Sequence, residues 1–164
     1  PTTDRVREAL FSSLGPGPVE DASALDLYAG SGAFGIEALS RGASCAVLVD
    51  HDRAAIEACT RNLESTRLTE SGRVRLGTVE RFVGGRPPSE APFDLVFVDP
   101  PYDLPGPELV DVLARLAGPG WLAADARVVV ERPVADSLPP VDGFEPTWER
   151  RYGDTLVVVL SLTG

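Results

Sequence analysis

The chain has no lysine. All fifteen of its basic residues are arginine, against twenty-five acidic residues, for a formal net charge of −10. A protein of that charge repels phosphate as a whole, so a broad basic surface for nucleic acid is excluded. Local arginine patches remain, since arginine contacts phosphate bidentately and stacks on bases. Arg5 with Arg7 and Arg150 with Arg151 are the candidates, and each pair taken alone reads first as solvated surface charge. Methionine is absent too, so Pro1 is expected to be a processed or trimmed start. A single histidine and two cysteines, Cys45 and Cys59, without CxxC spacing make a zinc site unexpected and fit a reduced protein. No apolar run is long enough to span a membrane and no signal peptide opens the chain, so a cytoplasmic monomer without a membrane partner is expected. With 164 residues, 43% hydrophobic and 24% charged, residues 1–164 read as one globular domain.

What is present alternates. Val6, Ala9, Leu10 and Leu14 share a helical face that Thr2-Thr3-Asp4 would cap and Gly15-Pro16-Gly17-Pro18 would stop. Strands are predicted at Ala24 to Tyr28, Cys45 to Val49, Val74 to Leu76, Phe93 to Val98 and Arg127 to Glu131. Between them, helices are predicted from the Gly30–Gly35 loop to Arg41, from Arg53 to about Thr66, and from Pro107 to about Ala117, with residues 84–92 a loop. Thr147 to Tyr152 and Thr155 to Leu162 flank Gly153-Asp154, a two-residue hairpin signal. The pattern predicts an α/β fold: a mostly parallel sheet with helices on both faces, ending in an antiparallel hairpin.

Three motifs point to the carboxyl edge of that sheet. Gly30-Ser31-Gly32-Ala33-Phe34-Gly35 matches G-x-G-x-x-G between a strand and a helix, where glycines allow close backbone approach to a ligand. Asp50 ends the next strand, where an acid can hold ribose hydroxyls. Dinucleotide sites and S-adenosylmethionine sites share both features. Asp26, inside the first strand, would repel a pyrophosphate but could hold an α-amino group, directly or through water. The third motif is Asp99-Pro100-Pro101-Tyr102, directly after the fourth strand. Prolines stiffen that exit and leave carbonyls without competing N–H groups. Asp99 and the Pro100 carbonyl could accept from an exocyclic amine while Tyr102 stacks on the ring. Taken alone, the tetrapeptide is also compatible with a proline-rich turn. Glu37 and Glu131 draw notice as acids, but solvated or structural roles are expected for both.

Leu25-Asp26-Leu27-Tyr28-Ala29-Gly30-Ser31-Gly32 together with Asp99-Pro100-Pro101-Tyr102 resembles the class I S-adenosylmethionine-dependent amino-methyltransferases, which have a Rossmann-like seven-stranded sheet. Within them, residues 1–11 and Arg151-Tyr152-Gly153-Asp154-Thr155 resemble the RsmD family, whose members methylate the N2 amine of one guanine in small-subunit (16S) ribosomal RNA. The resemblance implies S-adenosylmethionine as cofactor and ribosomal RNA as partner, naked or within an assembling subunit. It implies that Asp26, Gly30 and Gly32 hold the methionine part, with Tyr28 of the same motif and Asp99 also among the cofactor contacts. Asp50 would take the ribose hydroxyls with His51 beside it, and Thr78 and Val79 would meet the adenine. Many class I enzymes carry an acid or Asn near Thr78, which is a departure here. Asp99, Pro100, Pro101 and Tyr102 would hold a guanine flipped out of its stack. Family members usually begin with a basic, glycine-containing segment before an Arg-Pro-Thr motif, and this chain starts within that motif, so the segment is expected to be missing.

The tetrapeptide does not separate guanine N2 from adenine N6 or cytosine N4, in RNA or DNA. The glycine loop and Asp50 by themselves also permit a nicotinamide-dependent dehydrogenase. A non-catalytic cofactor- or RNA-binding module is the remaining alternative, against which Asp99 and Tyr102 both speak.

Overall fold

Strands covered on both faces read as near-continuous apolar runs, and the central segments do so apart from Asp26 and Asp94 within them. In the computed structural model, which describes residues 4–164, β1 (Ser23–Leu27), β2 (Cys45–Asp50) and β4 (Phe93–Val98) lie side by side. β3 (Gly72–Leu76), β5 (Leu122–Pro133), β6 (Phe144–Tyr152) and β7 (Thr155–Leu162) complete a seven-stranded sheet of order β3-β2-β1-β4-β5-β7-β6. β1 to β5 run parallel, while β7 is antiparallel to both β5 and β6. The expected Rossmann-like sheet with its terminal hairpin is therefore present.

The pleat sends alternate residues to two cores. Ala24, Leu48, Leu95, Phe97 and Val129 face α1 (Asp4–Leu14), α2 (Ala33–Ser40) and α3 (Arg53–Ser65), which contribute Phe11, Phe34, Leu39 and Leu63. Leu25, Leu27, Val96, Val98, Val128 and Val130 face α4 (Val79–Gly84) and α5 (Gly106–Leu116), which contribute Val83, Leu109, Val112 and Leu113. No helix among the described residues is long and apolar enough to cross a membrane.

Three differences from the sequence reading have local causes. The helix α4 was not expected, because at six residues it carries too little periodicity to be seen; Thr78 caps it, accepting from Arg81 N at 3.2 Å. β5 begins five residues before Arg127, because Phe93 pairs with Leu122 across a register shift, and the Ala-Ala-Asp stretch between carries no strand signal. β6 begins at Phe144, and Pro146 sits at a register shift on this edge strand, where a missing N–H is tolerated. The N-cap expected at Thr2-Thr3 lies outside the described residues.

Candidate functional site

The strand order reverses between β1 and β4, and the crevice of an open α/β sheet opens beyond the carboxyl ends at such a point. The glycine loop fills one side of it. Four side chains pin the loop. Asp50 Oδ2 accepts from Gly30 N and Asp26 Oδ2 from Gly35 N, each at 2.9 Å. From α3, the Cys59 thiol donates to the Gly30 carbonyl at 3.1 Å and Asn62 Nδ2 to the Ser31 carbonyl at 2.9 Å. Burial, reinforced by Asp26 and Asp50, pushes the Cys59 thiol up to about 12, so it stays a protonated donor. Sequence reasoning read Cys59 only as part of an apolar stripe and passed over Asn62. Their spacing of three on one helix face was the available signal.

Gly30 (φ +59°) and Gly32 (φ +84°) both need left-handed backbone, but for different surroundings. A Cβ on Gly30 would meet nothing within 4 Å, so glycine there leaves open space beside the cleft. A Cβ on Gly32 would lie 2.6 Å from Leu48 Cδ2 and 3.2 Å from both Cys59 Sγ and Ile36 Cδ1. Gly32 therefore serves close packing beneath the loop.

Asp26 lies on the α2 face of β1 with 1% of its surface exposed. Desolvation raises its carboxyl well above the usual range, against the lowering effect of the Gly35 N–H, and the charges of Asp99 and Asp50 raise it further. It sits under the loop rather than in the cleft wall. Asp50 is nearly buried, its Oδ1 accepting from Asp52 N at 2.9 Å, with His51 Nδ1 at 3.7 Å on a largely exposed ring. The Thr78 hydroxyl accepts the α4 cap bond and keeps its O–H as a donor, and the Val79 side chain is in the core, so the backbone of this pair and the Thr78 hydroxyl are what can face a ligand. Leu76, which sequence reasoning did not single out, ends β3 next to Asp50 and is 48% exposed, unusual for a large apolar side chain.

A cleft of about 280 Å³ brings Tyr28, Gly30 and Phe34 together with Asp99, Pro100, Pro101 and Tyr102. Of the residues expected to hold a cofactor, Tyr28, Gly30 and Asp99 line this cleft; the others lie beneath or beside it. Burial, then Glu80 and Glu108, raises the Tyr28 hydroxyl well above its ordinary value, so it is a neutral phenol. Leu104 N donates to the Pro101 carbonyl at 3.0 Å, which closes a turn carrying Tyr102, and Tyr102 is 56% exposed. A second, narrow pocket shares Asp99, Pro100 and Tyr102 with the cleft and is further lined by Glu131, Arg132 and Thr155. Of the two roles expected for Glu131, solvated or structural, burial excludes the first, since only 5% of it is exposed. Arg132 is equally buried, with Nε and Nη1 donating to the Asp136 and Leu104 carbonyls, both at 3.3 Å. Arg132 thus ties the Tyr102 turn to the segment after β5. Glu37 pairs with Arg7 at 3.4 Å and with Arg41 at 2.9 Å.

The two arginine pairs differ. Arg7 is engaged by Glu37 and by Asp4 at 2.9 Å. Arg150 and Arg151 are exposed on the terminal hairpin, with Arg151 Nε on the Gly153 carbonyl at 2.8 Å. Thr155, two residues beyond that carbonyl, reaches the narrow pocket.

The family described as Conserved hypothetical protein 95 matches residues 1–161. The chain is similar to Ribosomal RNA small subunit methyltransferase D of Escherichia coli K12, 42% identical over 141 residues that cover 86% of this chain and 68% of that protein. It is 35% identical to the YlbH protein of Bacillus subtilis (strain 168), over 100% of this chain and 88% of that one. Among solved structures, the yhhF protein of Escherichia coli superimposes with a TM-score of 0.88 at 36% identity, covering 99% of this chain and 87% of that one.

Proposed function

The chain belongs to the RsmD family, and on that premise we propose that it methylates the exocyclic N2 amine of a guanine in small-subunit ribosomal RNA, with S-adenosylmethionine as donor. The observation that carries this reading is the single cleft in which the glycine loop meets Asp99, Pro100, Pro101 and Tyr102.

The residues present fit the cofactor. Asp99 and Asp50 both act electrostatically on Asp26 beneath the loop, so two carboxylates converge on this site, which favours a cationic ligand and opposes a pyrophosphate. Gly30 leaves open space, and the first amides of α2 face the loop. When bound, S-adenosylmethionine supplies a methyl group activated by a sulfonium. Asp50 would hold the ribose hydroxyls, and exposed Leu76 would cover one face of the adenine, a role the sequence reading had given to Thr78 and Val79. Asp50→Ala is expected to weaken cofactor binding by about 1.5–3 kcal/mol, as for a charged hydrogen-bonding group. Calorimetry that finds the affinity unaltered would remove Asp50 from this role.

The guanine amine is a poor nucleophile, because its lone pair is delocalised into the ring. Asp99 and the Pro100 carbonyl would accept its two N–H groups and draw the nitrogen toward tetrahedral geometry. The Asp99 carboxylate is also an acceptor for the proton that the methylated amine sheds. Positioning and electrostatics supply the acceleration. Tyr102, exposed at its turn, would stack on a base taken out of the RNA. Arg150 and Arg151 on the neighbouring hairpin would meet phosphate.

Incorporation of labelled methyl into naked small-subunit ribosomal RNA and into assembled subunits tests this reading. Transfer by the wild type is expected. Tyr102→Phe should keep most of it, because stacking survives, while Tyr102→Ala should lose about tenfold or more, the range for a base–aromatic stack. If the two variants are equally inactive, the hydroxyl matters and the stacking account fails.

A further inference from the structure

We propose that Glu131 selects guanine by accepting its N1–H in the narrow pocket it shares with Asp99. The inference rests on the guanine reading above and adds a specificity residue to it.

The sheet places the two acids together. Phe97 is paired with Val129 and Val98 with Val130 on adjacent parallel strands. Asp99 and Glu131 are the next residues on each, and by alternation both follow Phe97 and Val129 onto the same face. Both line the narrow pocket, with Pro100 and Tyr102 beside them. That pocket has room for only about 10 Å³, less than a whole base needs and close to the space of one water. It therefore admits an edge, with the ring left outside against exposed Tyr102. Arg132, which also borders this pocket, is turned by the same alternation to the opposite face, where two carbonyls hold its guanidinium.

The chemistry of the edge follows. Guanine presents two adjacent donors on its Watson–Crick side, N1–H and the N2 amine. Adenine presents an acceptor at N1 beside its N6 amine, and cytosine an acceptor at N3 beside its N4 amine. A second carboxylate next to the amine-binding Asp99 completes guanine's pattern. It faces a lone pair in either rival base, which leaves two acceptors opposed and desolvated. Asp99 and the Pro100 carbonyl alone cannot make this distinction, since all three bases carry the amine.

The test replaces the target guanine with 2,6-diaminopurine in an oligoribonucleotide spanning the methylated position of the small-subunit RNA. This base keeps the 2-amine but has an acceptor at N1. The full chain should transfer methyl to guanine at least about tenfold faster than to diaminopurine, the scale of leaving a buried acceptor unpaired. Glu131→Gln, whose amide can also donate, should bind cofactor as the wild type does and compress that ratio toward one. An unchanged ratio in Glu131→Gln, or equal rates on the two bases with the wild type, overturns the proposal. The wild-type comparison needs no variant to fold. Methylation found only on adenine or cytosine would instead overturn the guanine reading itself, and the proposal with it.

Discussion

Asp99→Ala is expected to cut methyl transfer by about a hundredfold or more while cofactor affinity stays within a few-fold. Asp99 stands at the end of β4, between the cleft of the glycine loop and the narrow pocket of Glu131. Removing it takes away an acceptor aimed at the amine as charge develops there, and the loss of one such preorganised group costs roughly this much. The glycine loop is pinned by Asp26, Asp50, Cys59 and Asn62, none of which depends on Asp99 for its hydrogen bond. An effect confined to the transition state lowers kcat and kcat/KM alike and leaves ground-state binding in place. Single-turnover transfer with saturating cofactor, beside calorimetry of S-adenosylhomocysteine, separates the two. A variant that loses cofactor affinity in step with transfer would place Asp99 chiefly in cofactor binding.

Gly32→Ala and Gly30→Ala should fail in different ways, although both glycines belong to one motif. At Gly32 the new methyl meets Leu48, itself fully buried, together with Cys59 Sγ and Ile36, and φ is +84°. Overpacking and left-handed strain together are expected to cost about 2–5 kcal/mol of stability. At Gly30 the methyl meets nothing, so only the strain remains, about 1–2 kcal/mol, and the methyl stands where open space is needed for a ligand. Denaturant unfolding should therefore show Gly32→Ala far less stable than Gly30→Ala, and calorimetry on folded Gly30→Ala should show weakened cofactor binding. Equal stabilities would mean that the packing beneath the loop yields more easily than its close contacts imply.

The parts of this molecule that follow a simple period were legible from its residues. The mostly apolar runs of β1, β2 and β4, the glycine loop and the Gly153-Asp154 turn each announce themselves locally. What escaped was what depends on pairing or depth. The short helix α4 has too few residues for a period. The early start of β5 is set by Phe93 across the sheet. Cys59 and Asn62 read as ordinary helix residues until α3 is laid against the glycine loop. The Val79 side chain lies in the core, which leaves only its backbone for a ligand; Leu76, two residues before Thr78, is the exposed side chain at that edge. Glu131 read as a solvated or structural acid, since a charged residue is seldom buried, and only the strand register brings it beside Asp99.

The central claim is that one cleft serves both the donor and a guanine amine. It is tested most directly by digesting methylated small-subunit RNA to nucleosides after reaction with labelled S-adenosylmethionine. The account predicts label in N2-methylguanosine, formed about a hundredfold or more slowly by Asp99→Ala. Label in N6-methyladenosine or N4-methylcytidine, or N2-methylguanosine formed at an undiminished rate by Asp99→Ala, would contradict it.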